Sequence, residues 1–182
     1  MGSISAQVLQ FKISLMDSKP LIWRRIQVLD SYSFYDLHVA IQDAMGWKDY
    51  HFHQFIIYKG DKRTTQPTYI GIPNGDMDDD SNLTGWETKV ADYLGESEKY
   101  KIIYEYDFGD SWEHLLTFEG YVEKDPAVKK YPICCDGAMA CPPEDSGGTY
   151  GYYDLVDIIK DKNHPEHQER LEWLGYKLNP KE

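Results

Sequence analysis

The 182 residues are 41% hydrophobic and 14% aromatic, enough for one domain with a packed core, and this excludes a chain disordered throughout. A formal net charge of −12 repels phosphate backbones, so nonspecific nucleic-acid binding is disfavoured. No apolar run approaches the roughly 18 residues of a membrane span, the start lacks the basic and apolar regions of a secretion signal, and the 3 cysteines cannot all pair internally. The expectation is a single domain over 1–182, cytoplasmic and reduced, with no cofactor and no membrane contact.

Gln7 to Leu15 alternates, with Leu9, Phe11, Ile13 and Leu15 on one parity, as in a half-buried strand. Asp17-Ser18-Lys19-Pro20 is a turn, and Ile22 to Leu29 alternates again, which predicts an N-terminal hairpin. Ser33 caps a helix, with Asp36 three residues on. Phe34, Leu37, His38, Ile41, Ala44 and Met45 recur at helical spacing, and Gly46 stops the run. His51 to Tyr58 reads as a strand, Pro67 to Trp86 as a loop, and Val90 to Leu94 as a short helical turn. Tyr100 to Glu123 is a second hairpin, and Asp125 to Thr149 is irregular. Two short helices close the chain, Gly151 to Lys160 and Pro165 to Leu174.

The second hairpin carries the densest chemistry, YEYDFGDSWEHLLTFEG from Tyr104 to Gly120. A three-residue turn, Gly109-Asp110-Ser111, would pair Phe108 with Trp112, Tyr106 with His114, Tyr104 with Leu116 and Ile102 with Phe118, gathering all eight on one face. In that register His114 is buried, where a histidine is most often hydrogen-bonded and structural. Glu105, Asp107 and Glu113 occupy the opposite face, with Asp107 against Glu113. Like charges so placed need solvent, a cation or an arginine such as Arg24 or Arg25 between them.

Other residues have ligand-like spacing. Asp76, Asp78, Asp80 and Glu87 follow a calcium loop, but Ser81 stands where that loop wants glycine, so an acidic surface loop is the plainer reading. His51 and His53 share a strand parity, as paired metal ligands can. Cys134, Cys135 and Cys141 followed by His164 and His167 fit no usual zinc spacing, which leaves Cys135 and Cys141 weak candidates and the expectation that no metal is bound. Gly147-Gly148-Thr149-Tyr150-Gly151 ahead of a helix could offer N–H groups to an anion, although a flexible helix entry explains it as well.

Taken together, IWRR (22–25), DLHVAIQDAMGW (36–47), HFHQF (51–55), YEYDFGDSWEH (104–114), CPPEDSGGTYGYYDL (141–155) and HPEHQERLEWLG (164–175) resemble the plasmid pRiA4b ORF-3-like family along nearly the whole chain. The resemblance implies an α+β domain found in plasmid, mobile-element and chromosomal contexts. Relatives often carry a cysteine where this chain has Ser146, so if the family's cysteines hold a metal, one ligand is missing here. Resolvase-like labels exist for some relatives. That chemistry needs a serine or tyrosine nucleophile and an arginine cluster, and with only Arg24, Arg25, Arg63 and Arg170 the activity is not carried over.

The expected fold is α+β, a mixed sheet with a β-grasp-like ββαβ start, an added β-hairpin and short C-terminal helices. The leading functional expectation is a non-enzymatic module that binds a protein partner through residues such as Arg24, Arg25, Trp47, His51, His53 and Trp112. The alternatives are a metal-dependent enzyme using Asp107, Asp110, Glu113 and His114, and a nucleic-acid-binding protein using Arg24 and Arg25.

Overall fold

The computed structural model describes residues 7–60, 66–72, 82–94 and 100–181. These residues form one mixed eight-stranded sheet and three α-helices, an α+β fold. No described helix is long and apolar enough to cross a membrane. The strands are β1 (Val8–Leu15), β2 (Trp23–Leu29), β3 (His53–Lys59), β4 (Thr68–Gly71), β5 (Asn82–Thr84), β6 (Tyr100–Tyr106), β7 (Trp112–Val122) and β8 (Ile133–Ala138). They lie in the order β5-β4-β3-β6-β7-β1-β2-β8, antiparallel except for the β4–β5 pair. The ββαβ order of the start is present, but β6 and β7 lie between β3 and β1.

Alternation sets the buried face. Leu9, Phe11, Ile13 and Leu15 of β1 are all at most 1% exposed, as their parity requires. Helix α1 (Phe34–Met45) covers this face with Phe34, Leu37, Ala40, Ile41 and Met45. Its entry is a complete capping box: the Ser33 hydroxyl accepts from the Asp36 N–H, and the Asp36 carboxylate accepts from the Ser33 N–H. Gly46 ends it in the left-handed conformation, φ 75°.

Helices α2 (Gly148–Lys160) and α3 (His167–Leu174) pack on each other, and α2 adds Tyr152 and Val156 to the core. The opening of α2 is tied to the hairpin tip. The Gly147 N–H donates to Asp110 Oδ2 at 2.8 Å, and a Cβ on Gly148 (φ 68°) would stand 2.4 Å from the Asp110 carbonyl oxygen. The anion served by this glycine-rich turn is a carboxylate of the chain itself.

Three segments differ from the sequence reading. The stretch read as a loop over 67–86 contains β4 and β5, and the irregular 125–149 stretch contains β8. All three are short, and β5 and β8 are edge strands in which cross-strand pairing outweighs a weak local pattern. The third helix begins at His167, past Pro165. The hairpin register is also shifted by two residues, pairing Tyr106 with Trp112 and Tyr104 with His114. Asp107 takes φ 56° and donates its N–H to the Phe52 carbonyl of the neighbouring segment, so alternation stops at Tyr106 and five residues make the turn. An even shift preserves parity, which is why the aromatic face survives while Phe108 becomes 46% exposed.

Ser33→Ala removes the cap and should lower unfolding stability by about 1 kcal/mol in urea titration. Gly148→Ala, which adds both positive-φ strain and a backbone clash, should be clearly more destabilising than Ser33→Ala in the same assay.

Candidate functional site

The residues predicted to be chemical sort into several separate places. Trp112 and His114 are fully buried, Trp47 is 7% exposed and His53 4% exposed, so all four are largely enclosed by the fold. Trp47 stacks on Tyr106 with ring centroids 5.0 Å apart and donates its indole N–H to the Pro142 carbonyl at 2.8 Å. His114 Nδ1 lies 3.0 Å from the Trp112 carbonyl, and burial pushes its pKa down to about 4. Among the described residues it joins no cluster of acids, so Asp107, Asp110, Glu113 and His114 do not converge in one site. Asp110 docks the hairpin tip on α2. Glu113 faces Glu105, not Asp107, and Glu105 accepts from Gln54 (2.7 Å) and Ser111 (3.1 Å), donors that relieve the like-charge pair.

Arg24 and Arg25 are each engaged by neighbouring groups. Arg25 bonds Glu119 at 2.7 Å and Asp136 at 2.5 Å, and both Arg25 and Lys12 lie over the Trp23 ring. Glu119 is free to do this because a β-bulge between Gly120 and Phe118 leaves it unpaired in the ladder. Arg24 donates to the Trp23 and Ala138 carbonyls. Among the described residues no ion pair joins either arginine to Glu105, Asp107 or Glu113. Cys134 and Cys135 sit on β8, and Cys141 contacts the Met45 sulfur at 3.5 Å. Burial raises the thiol pKa of Cys135 and pushes that of Cys141 up to about 11. Among the described residues no group of three metal-type ligands includes a cysteine, His164 or His167. Glu87 accepts from the Thr84 hydroxyl, while Asp76, Asp78 and Asp80 lie outside the described residues.

A candidate site forms instead where the 47–51 turn, the hairpin tip and the 141–146 segment meet. Tyr104 and Tyr106, two apart on β6, point to the same side, and each hydroxyl organises part of it. Gln42 Nε2 donates to the Tyr104 oxygen at 2.9 Å, and that oxygen lies 2.8 Å from His38 Nδ1. His38 Nε2 lies 3.0 Å from Asp49 Oδ1. A carboxylate only accepts, so Nε2 carries the proton and Nδ1 accepts from the phenol. The run Gln42–Tyr104–His38–Asp49 is therefore fully ordered from core to surface. His53 stacks on His38, with centroids 3.4 Å apart and planes 6° apart. Burial and then the neighbouring His38 hold His53 down to about 3. Parallel stacked imidazoles aim their lone pairs along separate planes, so the His38–Asp49–His53 group suits the His38–Asp49 hydrogen bond better than an ion.

The Tyr106 hydroxyl donates to Glu144 Oε1 at 2.5 Å and accepts from the Tyr50 N–H at 3.0 Å. Glu144 Oε2 accepts from the Lys48 N–H at 3.0 Å. These bonds fix His51 beside Asp107 and Asp145: His51 Nε2 is 3.0 Å from Asp145 Oδ1 and 3.6 Å from Asp107 Oδ2. His51 and His53 are therefore not paired ligands, because His51 precedes β3 and turns toward the hairpin tip while His53 enters the core. Sequence parity missed the His51–Asp107–Asp145 group because Asp107 and Asp145 both adopt positive φ, 56° and 58°, which no alternation pattern reveals. Beside it runs a cleft of about 400 Å³, whose lining includes Trp47, Lys48, Tyr50, Pro143, Trp173 and Tyr176.

The plasmid pRiA4b ORF-3-like protein family matches residues 7–182, and the chain belongs to that family. It is 33% identical over 174 residues to an uncharacterized protein, y4hQ, of Sinorhizobium fredii, spanning 93% of this chain and 82% of that protein. It is also similar to the crystal structure of a protein of unknown function, MM3350, from Methanosarcina mazei Go1, with TM-score 0.84, 37% identity, and coverage of 97% of this chain and 94% of that one.

His53 and His114 are neutral in the fold, and their unperturbed pKa is 6.5, so the unfolded chain binds more protons below that pH. Their stabilising contribution is full above 6.5 and is lost as the pH falls toward about 4 for His114 and about 3 for His53. His114 alone contributes on the order of 3 kcal/mol, each tenfold difference in proton affinity being worth about 1.4 kcal/mol. Urea midpoints from pH 8 to pH 4 should decline from about pH 6.5 downward, and His114→Phe should make that decline shallower.

Proposed function

We propose that this member of the plasmid pRiA4b ORF-3-like family is a non-enzymatic binding module that receives an extended, basic segment of a partner protein in the cleft between α3 and the 47–51 turn. The observation that supports the reading is the distribution of aromatic rings. The core consumes Trp47, Trp112, Tyr104, Tyr106 and Tyr152, whereas Tyr50, Trp173 and Tyr176 stay 70%, 45% and 55% exposed around one concavity. Half-exposed aromatics around a groove that Pro142 and Pro143 also line offer amphipathic contact area at low entropic cost. The adjacent Asp145 and the net charge of −12 favour a basic occupant.

The nucleic-acid reading loses its candidate groups, since Arg25 is neutralised by Glu119 and Asp136 and Arg24 is spent on backbone carbonyls. The enzyme reading loses the imidazole it relied on, because His114 is enclosed.

The test is affinity capture from the producing cells with the wild-type chain and with a Tyr50→Ala/Trp173→Ala variant. Both substituted side chains are exposed, so the thermal midpoint should stay within a few degrees of wild type. A defined partner should be retained by the wild type and lost by the variant. Capture that the variant leaves unchanged, or salt-sensitive DNA retention in place of a protein partner, would overturn the proposal.

A further inference from the structure

We propose that His51 Nε2, Asp107 Oδ2 and Asp145 Oδ1 form a binding site for a first-row divalent transition metal at the edge of the cleft, which Asp145 also lines. The three residues come from the turn before β3, the β6–β7 turn and the segment before α2, and they offer one nitrogen and two oxygen donors within 4.8 Å of one another.

The separations have the dimensions of a coordination polyhedron. With metal–ligand bonds of about 2.1 Å, neighbouring ligands stand about 3.0 Å apart in an octahedron and about 3.4 Å apart in a tetrahedron. Here Nε2 is 3.0 Å from Asp145 and 3.6 Å from Asp107. A second observation separates this group from an ordinary ion pair. His51 Nε2 is shielded from solvent and makes no hydrogen bond, despite two carboxylates beside it. At 3.6 Å Asp107 is out of hydrogen-bonding range, and at 3.0 Å Asp145 lies off the N–H axis. Neither carboxylate therefore satisfies this nitrogen, which leaves it available to a third body.

The donors are also oriented in advance. Gly109 N–H holds Asp107 Oδ1 at 3.0 Å, leaving Oδ2 for a cation, and Asp107 is only 9% exposed. The Tyr106 hydroxyl, set by Glu144, accepts from the His51 N–H at 3.4 Å and so places the ring's backbone. The Asp145 side chain is 62% exposed, so water can complete the coordination shell. An imidazole with two carboxylates suits Zn²⁺, Co²⁺, Mn²⁺ or Fe²⁺ better than Mg²⁺ or Ca²⁺, which prefer all-oxygen shells.

The experiment titrates the purified full-length chain with Co²⁺, read by its visible d–d bands, and with Zn²⁺ and Mg²⁺ by calorimetry. The wild type should bind one Co²⁺ and one Zn²⁺ per chain at least tenfold more tightly than Mg²⁺, without the near-ultraviolet sulfur-to-cobalt band that Cys134 and Cys135 would produce. His51→Ala and Asp145→Asn should each weaken binding at least tenfold. Asn tolerates the left-handed backbone of position 145, so the second variant keeps the fold. No saturable binding, binding unchanged in both variants, or a thiolate spectrum would each overturn the assignment.

Discussion

Two phenol hydroxyls on one face of β6 cannot be buried without partners, and the partners they take define one end of the molecule. Tyr104 finds His38 and Gln42 on α1, which locks the helix to the sheet through polar contacts as well as apolar ones. Tyr106 finds Glu144 and the backbone of Tyr50 and His51, which draws two distant segments against the same strand. Trp47 closes the arrangement by stacking on Tyr106 and bonding Pro142. A cleft, a histidine and two aspartates are thus held by strand β6 rather than by loops acting alone, which is the precision a binding site needs.

Much of the scaffold is legible from period and punctuation. The alternation of β1, the apolar stripe of α1 and the Ser33–Gly46 frame follow from side-chain direction and capping, which are local properties. His38 lies on the predicted stripe, but nothing local says that its ring completes a chain from Tyr104 to Asp49. The edge strands β5 and β8 are not legible, because short segments with mixed composition become strands only when a neighbour supplies hydrogen bonds.

The candidate site was only half legible, for a physical reason. Parity correctly places Tyr104, Tyr106, Trp112 and His114 on one face, since a shift of two residues keeps every side chain on its side. Parity fails at Asp107, where a left-handed residue turns a carboxylate away from the outer face and toward His51. Asp49 and Asp145 share that conformation, at φ 58° each, so all three carboxylates of the two histidine-centred groups sit where alternation and helical periodicity have both ended. The acids that look most catalytic in the sequence, Asp110 and Glu113, prove to be a helix-entry anchor and a cross-strand neighbour.

The bulge at Cys135, opposite the Arg25/Ile26 step, matters beyond local geometry. Strand β8 forms one margin of the sheet, and an uninterrupted margin would present a regular row of amide donors and acceptors to any passing chain. The extra residue breaks that row's spacing, and Asp136 adds a charge beside it. Self-association by sheet extension is thereby discouraged on this side.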